Sequence, residues 1–223
     1  MVDAAIASHA WLHTFWPALC AAALTDCIVS DADDRHARIN VIGASGVGKT
    51  TLARALAARL GVPHFDADDY YHYPTDPPYQ RQRSPVDRCA LLEGDLGPLD
   101  AWVLSGGAGT WTPAPALRYT LHVFLWLPSD VRIERILNRE RELYGARIQP
   151  GGDMEKDHVE FMAWTRHYDD GTAEGTNTLP HHEALLARST CPVIRIVEPL
   201  PLDGALDQVV ARVTRLRPAD FAS

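Results

Sequence analysis

The sequence predicts an α/β protein in which helices cover both faces of a parallel β-sheet. Short apolar stretches alternate with longer helix-like stretches along most of the chain, the order expected when helices connect the strands of one sheet. Residues 101–104 and 121–127 are apolar almost throughout, which is typical of central strands buried on both faces. The expected fold is therefore a three-layer sandwich with ligands bound at the carboxyl edge of the sheet.

The other elements follow from capping residues and hydrophobic periodicity. Ser84-Pro85-Val86-Asp87 has the pattern of a capped helix start, and Pro128-Ser129-Asp130 opens a second helix. The predicted strands are 39–42, 63–65, 101–104, 121–127 and 192–197, and the predicted helices are 49–60, 84–93, 128–142, 154–168, 180–188 and 204–215.

Length and charge limit the domain organisation and the partners. A chain of 223 residues with 46% hydrophobic content fits one domain plus an appended segment. We expect residues 1–37 to form an N-terminal helical extension and residues 38–223 to form the catalytic domain. The net charge of −8 does not favour nucleic-acid binding. The alanine-rich first 30 residues lack a basic start and are interrupted by polar residues, so neither a signal peptide nor a membrane span is expected.

The four cysteines are scattered, with no C-x-x-C pair. This arrangement suits reduced thiols, which we interpret as buried small apolar residues, and indicates a cytoplasmic protein. The oligomeric state is left open by the sequence.

The firmest motif is a phosphate-binding loop between the first strand and the first helix of the domain. Residues 43–50 match G-x-x-x-x-G-K-[ST] in full. Backbone N–H groups of such a loop cradle phosphates, while Lys49 can reach the β- and γ-phosphates and the Thr50 hydroxyl can bind Mg²⁺. The sequence therefore predicts ATP and Mg²⁺ as ligands. The expected nucleotide-binding residues are Gly43, Ala44, Ser45, Gly46, Val47, Gly48, Lys49, Thr50 and Thr51.

On these residues, and over roughly 38–213, the chain resembles the small P-loop kinases of the adenylate kinase and shikimate kinase type. It looks closest to bacterial AAA-annotated ATPases with the same layout. The resemblance implies a P-loop NTPase sandwich with a five-stranded parallel sheet, a substrate-binding region after the second strand, and a lid after the fourth. It does not identify the phosphoryl acceptor.

The second predicted strand runs into a D-x-D pair, Asp66-Ala67-Asp68. On an extended chain both carboxylates would point to one face, where they could hold Mg²⁺ or accept a proton from a hydroxyl. The resemblance to shikimate-type kinases makes Asp66 the metal or base candidate and Asp68 a substrate contact. Alternatively, these aspartates cap a helix or form an Asx-turn.

The third predicted strand ends in Ser105-Gly106-Gly107, which is similar to the glycine-rich substrate turn of shikimate-type kinases. Glycine lets a ligand approach the backbone closely, so Gly106 and Gly107 are candidate substrate contacts; an ordinary loop is the alternative. No aspartate closes this strand, so the usual Walker B carboxylate is missing and Asp66 would have to replace it.

Arginines occupy the two segments where this class binds its substrates. Arg83 and Arg88 fall in the acceptor-binding region, beside an aromatic, proline-rich stretch at 70–79 that is either a pocket wall or a surface loop. Three further arginines form one predicted stripe after the fourth strand, and a bound polyphosphate would balance their charge. They are Arg132, Arg135 and Arg139.

The segment 143–152 has the glycines and proline of a short hinged lid. Within it, Arg147 could swing onto the transferring phosphoryl group. We name Arg139 and Arg147 as catalytic candidates together with Lys49 and Asp66. The pair His181-His182 is interpreted as solvated surface, and Tyr168 as core packing.

Three functional hypotheses remain. The favoured one is Mg·ATP-dependent phosphoryl transfer to a hydroxyl of a small molecule, with Asp66 or Asp68 as base. A nucleoside monophosphate kinase would instead depend mainly on arginines. The third is a regulatory ATPase without a small-molecule acceptor, in which slow hydrolysis drives lid movement.

Overall fold

The computed structural model describes residues 37–108, 111 and 118–216, with side chains to residue 213. Most of the predicted N-terminal extension lies outside the described residues, so its helical structure stays a prediction.

Five parallel strands form the sheet, as predicted. The order across the sheet is β2-β3-β1-β4-β5, which places β1 and the loop that follows it at the centre. The strands are β1 (Arg38–Gly43), β2 (His64–Asp66), β3 (Trp102–Ser105), β4 (Leu121–Leu125) and β5 (Val193–Ile196). Strands β1, β3 and β4 are buried almost completely, which explains their continuous apolar character.

Helices connect the strands and cover the sheet. The described helices are α1 (Lys49–Leu60), α2 (Ala67–Tyr71), α3 (Pro85–Leu96), α4 (Ser129–Tyr144), α5 (Glu155–Arg166), α6 (Leu179–Ala187) and α7 (Leu202–Leu216), with a 3₁₀ turn at Gly145–Ile148. Ser84 caps α3 by accepting a hydrogen bond from the Asp87 N–H, as the sequence predicts. Helix α1 ends at Gly61 in the left-handed conformation.

Apolar side chains pack on both faces of the sheet. Ile39 and Val41 of β1 pack with α1 and α7 on one face. Ile42 and Phe124 pack with Leu186 of α6 on the other face. Alternate residues of each central strand thus serve opposite layers, and the three-layer sandwich is confirmed.

Helix α2 is the main difference from the predicted elements. The sequence reads as extended chain through the D-x-D, but β2 ends at Asp66 and α2 begins at Ala67. The prediction that both carboxylates extend from one strand face is therefore wrong. Asp66 ends the strand and caps the helix, while Asp68 lies within the helix.

None of the helices in the described ranges is long and apolar enough to cross a membrane. Cys89 and Cys191 are free thiols, as predicted, but both are half-buried, so their interpretation as buried residues is wrong.

Candidate active site

The phosphate loop lies at the carboxyl end of the central strand. Gly48 is the N-cap of α1 with φ of 102°, and no side chain caps the first turn. The first N–H groups of α1 and the positive end of its dipole therefore face the loop, as an anion site requires. Gly43 has φ of +145°, and a Cβ there would lie 2.2 Å from the Leu125 carbonyl oxygen. Only glycine fits this contact between the loop and β4.

The side chain of Lys49 lies over the phosphate loop. Its Nζ donates to the Ala44 carbonyl oxygen at 2.8 Å. Burial lowers the pKa of Lys49, the charges of Asp68 and Asp66 act to raise it, and those of Arg139 and Arg132 lower it further. Several cations thus converge on the loop, an arrangement that suits a polyanionic ligand.

Asp66 joins the D-x-D to the phosphate loop. The Thr50 hydroxyl donates to Asp66 Oδ2 at 2.9 Å, and Asp66 Oδ1 accepts from the Asp68 N–H at 3.2 Å. The helix-capping interpretation therefore holds for Asp66, which also contacts the phosphate loop, while its metal or base role stays a prediction. A hydroxyl beside a carboxylate is the type of oxygen donor set that Mg²⁺ takes alongside substrate phosphates.

Asp68 has different surroundings from Asp66. Its carboxylate has no hydrogen-bond or ion-pair partner in the described part of the chain, and the residue is exposed. Desolvation raises the pKa of Asp68, and the like charge of Asp66 adds to this effect, whereas Lys49 lowers it. A carboxylate that is unpartnered and more basic than usual is suited to accept a proton.

The glycine turn after β3 lies next to the D-x-D. Asp66 and Ser105 are register partners on neighbouring strands. Buried Asn40 of β1 donates to the carbonyls of Leu104 and Gly106 at 3.2 and 2.9 Å. The turn is therefore tied to the centre of the sheet rather than hanging as a free loop. Its second glycine, Gly107, is exposed.

The arginines of α4 do not act as one stripe. Arg132 is fully buried, donates to the Leu127 carbonyl and forms an ion pair with Asp169. Its charge is balanced within the protein, so the expectation that all three arginines await a polyphosphate is wrong for Arg132. Arg139 is exposed, and its charge acts on Lys49. Arg135 lies further from this point, in a neighbouring cleft.

That cleft, of about 210 Å³, continues from the phosphate loop along the carboxyl edge of the sheet. Val47, Gly48 and Thr51 form one wall, and the segment between β5 and α7 forms the other. Its mostly apolar lining, directly beside the phosphate loop, suits the base of a nucleotide. Except for Val47, Gly48, Thr51 and Arg135, the sequence analysis missed its lining residues, which are Leu52, Leu125, Trp126, Leu127, Ile196, Glu198, Pro199, Leu200, Leu202 and Ala205.

The two candidate acceptor arginines are held in place by the protein. Arg83 Nη1 donates to the carbonyls of Asp69 and Tyr70 at 2.7 and 3.3 Å and to that of His72. This guanidinium therefore stabilises the end of α2. Arg88 lies between two rings, 4.4 Å from the Tyr71 centroid and 5.0 Å from the Trp111 centroid.

Arg88 is the better placed of the two for a ligand. Its Nε is buried with no hydrogen-bond partner, and its neighbour Tyr71 belongs to the aromatic stretch 70–79. Tyr79 of the same stretch has φ of 68° and packs edge-on against His72, with ring centroids 5.1 Å apart. The charges of Asp68 and Arg139 act on its hydroxyl. These contacts favour the pocket-wall interpretation.

The expected lid segment is a compact turn. Arg147 donates to Asp153 through Nε and Nη2, at 3.0 and 2.8 Å, and pairs with Asp76 at 2.7 Å. These hydrogen bonds raise the pKa of Arg147. Arg147 thus connects the lid to the aromatic stretch, and its expected swing onto a phosphoryl group stays a prediction.

His182 is buried, so its interpretation as solvated surface is wrong. It is 4% exposed, on the α6 side that packs against Phe124. The Tyr168 hydroxyl lies 2.8 Å from its Nδ1. Nothing in the local sequence distinguishes it from exposed His181, because only the helix orientation separates the two.

Sequence comparison finds a relative over most of the chain. The chain is 35% identical over 172 residues to the uncharacterized protein YqaC of Bacillus subtilis. The alignment covers 77% of this chain and 94% of YqaC. A second match is a shikimate kinase of Novosphingobium aromaticivorans, 35% identical over 111 residues, or 43% of this chain and 57% of that enzyme. No family model matches the sequence.

Structural comparison finds proteins with related folds. A shikimate kinase from Acinetobacter baumannii in complex with shikimate aligns over 79% of this chain and 93% of its own, with 19% identity and a TM-score of 0.44. A gluconokinase from Sinorhizobium meliloti aligns over 83% and 95%, with 17% identity and a TM-score of 0.47.

Proposed function

We propose that the chain, which belongs to the family of Bacillus subtilis YqaC, transfers the γ-phosphoryl group of Mg·ATP to a hydroxyl of a small molecule. One observation carries the proposal: the Thr50 hydroxyl of the phosphate loop donates to the Asp66 carboxylate at 2.9 Å. This contact joins the phosphate loop to the D-x-D segment, which contains the proposed metal ligand and the proposed base.

Magnesium fits the residues at this point. Thr50 supplies a hydroxyl and Asp66 a carboxylate, and Mg²⁺ is commonly held by one or two such groups together with phosphates and water. When bound, the ion would neutralise charge that develops on the phosphates. Asp66 would thereby replace the carboxylate that is missing from the end of β3.

The protein supplies the groups that bind the nucleotide, accept the proton and neutralise charge on the transferring group. The loop N–H groups and Lys49 bind the phosphates, and the cleft beside Thr51 receives the nucleoside. Asp68 accepts the proton of the attacking hydroxyl, because its carboxylate is unpartnered and its pKa is raised. Arg139 neutralises charge on the transferring group, since it has no competing ion pair among the described residues.

The arginines favour a hydroxyl acceptor over a nucleoside monophosphate. The second substrate of a nucleoside monophosphate kinase brings a phosphate that needs free arginine donors. Arg83 is occupied by three carbonyls, so of these two arginines Arg88, through its unpartnered Nε, is the one placed to donate to a ligand. The partial sequence similarity to a shikimate kinase also supports a hydroxyl acceptor. We further propose a cytoplasmic location.

A screen with labelled ATP tests the proposal. The candidate acceptors are sugars, polyols, cyclic hydroxy acids and nucleoside monophosphates, with Lys49→Ala as the blank. We expect transfer to a hydroxyl compound that Asp66→Asn abolishes. Transfer only to nucleoside monophosphates would contradict the proposal and favour a nucleoside monophosphate kinase. ATP hydrolysis that no acceptor stimulates, unchanged in Asp66→Asn, would favour the regulatory ATPase.

A further inference from the structure

We propose that His182, through its Nε2–H, binds an oxygen of the phosphoryl group in transfer, beside Lys49 and opposite Gly107. This inference rests on the proposed function and adds a residue to the same site. His182 belongs to α6, on the side of the sheet opposite α1 and α7, and none of the motifs in the sequence includes it.

The ring of His182 is fixed by its surroundings. The residue is 4% exposed, Phe124 packs edge-on with ring centroids 6.3 Å apart, and the Tyr168 hydroxyl lies 2.8 Å from Nδ1. Tyr168 is itself 2% exposed. Two aromatic contacts and one hydrogen bond therefore hold the imidazole in a single orientation.

This hydrogen bond determines which ring nitrogen carries the proton. Among the described residues, the Tyr168 hydroxyl has His182 Nδ1 as its hydrogen-bond partner, and a buried hydroxyl left without an acceptor costs free energy. Tyr168 therefore donates to Nδ1, and the proton of the neutral ring lies on Nε2. Burial, with the nearby charge of Lys49, lowers the pKa of His182 to about 4, so the ring is neutral at pH 7.

Nε2 faces the glycine turn that follows β3. A Cβ at Gly107 would lie 3.7 Å from it, and Gly107 is exposed in the turn next to the D-x-D. The charge of Lys49 acts on the ring. Nε2 has no hydrogen-bond partner in the described ranges and is not one of the fully enclosed unpartnered atoms there, so a ligand at the turn can reach it.

An anionic oxygen suits this donor better than a neutral group. The site already has Lys49 and Arg139 for charge, while His182 adds a neutral, oriented N–H that does not repel Lys49. A preorganised donor of this kind favours the transition state, where charge on the phosphoryl oxygens is redistributed, over ground-state ADP or ATP. Tyr168 is then a positioning residue that acts through His182.

Calorimetric titration tests the inference without an identified acceptor. Wild-type full-length chain is titrated with Mg·ADP, with and without aluminium fluoride, which mimics a phosphoryl group in transfer. We expect fluoride to tighten ADP binding. In His182→Phe, ADP alone should bind within about twofold of wild type, but the tightening should fall by about ten- to a hundredfold, the value of one hydrogen bond to a charged group.

Three variants control this test. His182→Gln keeps an amide N–H near the position of Nε2 and should restore part of the tightening, which a packing role would not predict. Tyr168→Phe should lose less of the fluoride-dependent tightening than His182→Phe does. The imidazole of His182 keeps its position in that variant, but no hydroxyl fixes its tautomer. His181→Asn should behave as wild type, since His181 bonds only to the Thr178 hydroxyl among the described residues.

The outcomes separate the inference from the proposed function. Equal tightening by fluoride in wild type and His182→Phe, with normal ADP binding, would overturn the role of His182 and leave the kinase proposal intact. No ADP binding by wild type would overturn both. Loss of ADP binding in a folded His182→Phe or His182→Gln would also contradict the inference, because it would indicate a role in nucleotide binding or packing.

Discussion

The carboxylates of Asp66 and Asp68 have different neighbours, which is why we propose different roles for the two residues. Both oxygens of Asp66 are engaged, by the Thr50 hydroxyl and by the Asp68 N–H. The carboxylate of Asp68 has no such partner in the described part of the chain, and its pKa is raised. The D-x-D spacing was enough to select both aspartates from the sequence, with the base left open between them. The different surroundings of the two carboxylates were not predictable, because the short helix α2 has no strong sequence signal.

The two aspartates should respond differently to removal of charge. Asp68→Asn should lower kcat by about a hundredfold or more, the contribution typical of a general base, with the KM for ATP changed little. Asp66→Asn should lower kcat and also raise the magnesium concentration needed for half-maximal activity. Steady-state rates over a magnesium series check both. A larger magnesium requirement in Asp68→Asn than in Asp66→Asn would reverse our assignment.

At the scale of single residues, His182 can be selected as a candidate site residue only from the tertiary structure. Adjacent histidines in a helix point about 100° apart, so one can be buried while the other is solvated. The sequence could not select His182, since the choice depends on which side of α6 packs against Phe124.

At the scale of elements, the turn after β3 presents two glycines with different constraints. Gly106 has φ of +99°, and a Cβ there would lie 2.7 Å from the Ala67 Cβ at the start of α2. Gly107 has no positive φ, and its Cβ would meet His182 Nε2 at an ordinary 3.7 Å. The motif G-G was visible in the sequence, but its contact with α2 was not.

Alanine at these two positions should therefore separate folding from function. Gly106→Ala should lower the free energy of unfolding by about 1 to 3 kcal/mol because of backbone strain and the clash. Gly107→Ala should unfold as wild type but lower phosphotransfer, because the methyl group enters the space between the turn and His182. Urea denaturation and initial rates measure the two effects. A stable, active Gly106→Ala would show that the close approach of the turn to α2 is wrong.

The hydrogen bonds of Arg83 indicate that it stabilises the end of α2 rather than binding an acceptor. Arg83→Ala should lower the free energy of unfolding by about 1 to 2 kcal/mol, because three carbonyls at the end of α2 lose their donor. Arg81→Ala is a matched control, since Arg81 also lies over the Tyr73 ring, at 4.7 Å against 4.6 Å for Arg83. Its effect should stay within about 0.5 kcal/mol. Equal effects of the two substitutions in urea denaturation would contradict this role.

For the whole molecule, the number and parallel arrangement of the strands were predictable from the alternation of apolar and helix-like stretches. Helix boundaries agreed to within a few residues because capping residues and glycines mark them, as at Ser84 and Gly61. The nucleoside cleft was not predictable, since its walls come from segments about 150 residues apart, near Val47 and Leu200. Only the completed sheet brings these segments together.

The whole molecule should become less stable in mild acid. His122 and His182 are both 4% exposed, and burial lowers the pKa of each from 6.5 to about 4. The unfolded chain therefore binds protons between pH 6.5 and 4 that the native protein does not, and the free energy of unfolding falls as the pH falls through this range. Each histidine should contribute about 2 kcal/mol of loss between pH 7 and pH 5.

His122→Phe tests this directly, because His122 packs beside the Tyr119 ring, with centroids 4.8 Å apart, away from the candidate site. The variant should lose less stability between pH 7 and pH 5 than wild type in urea titrations. If His122→Phe loses as much free energy of unfolding between pH 7 and pH 5 as wild type does, His122 is not buried in its neutral form.

The central claim concerns the chemistry of the product, and phosphorus NMR of the reaction mixture tests it most directly. With Mg·ATP and the acceptor that the screen identifies, we predict a phosphate monoester that forms in step with ADP and is absent with Lys49→Ala. A nucleoside diphosphate formed from a nucleoside monophosphate, or inorganic phosphate as the sole phosphorylated product besides ADP, would contradict phosphoryl transfer to a hydroxyl.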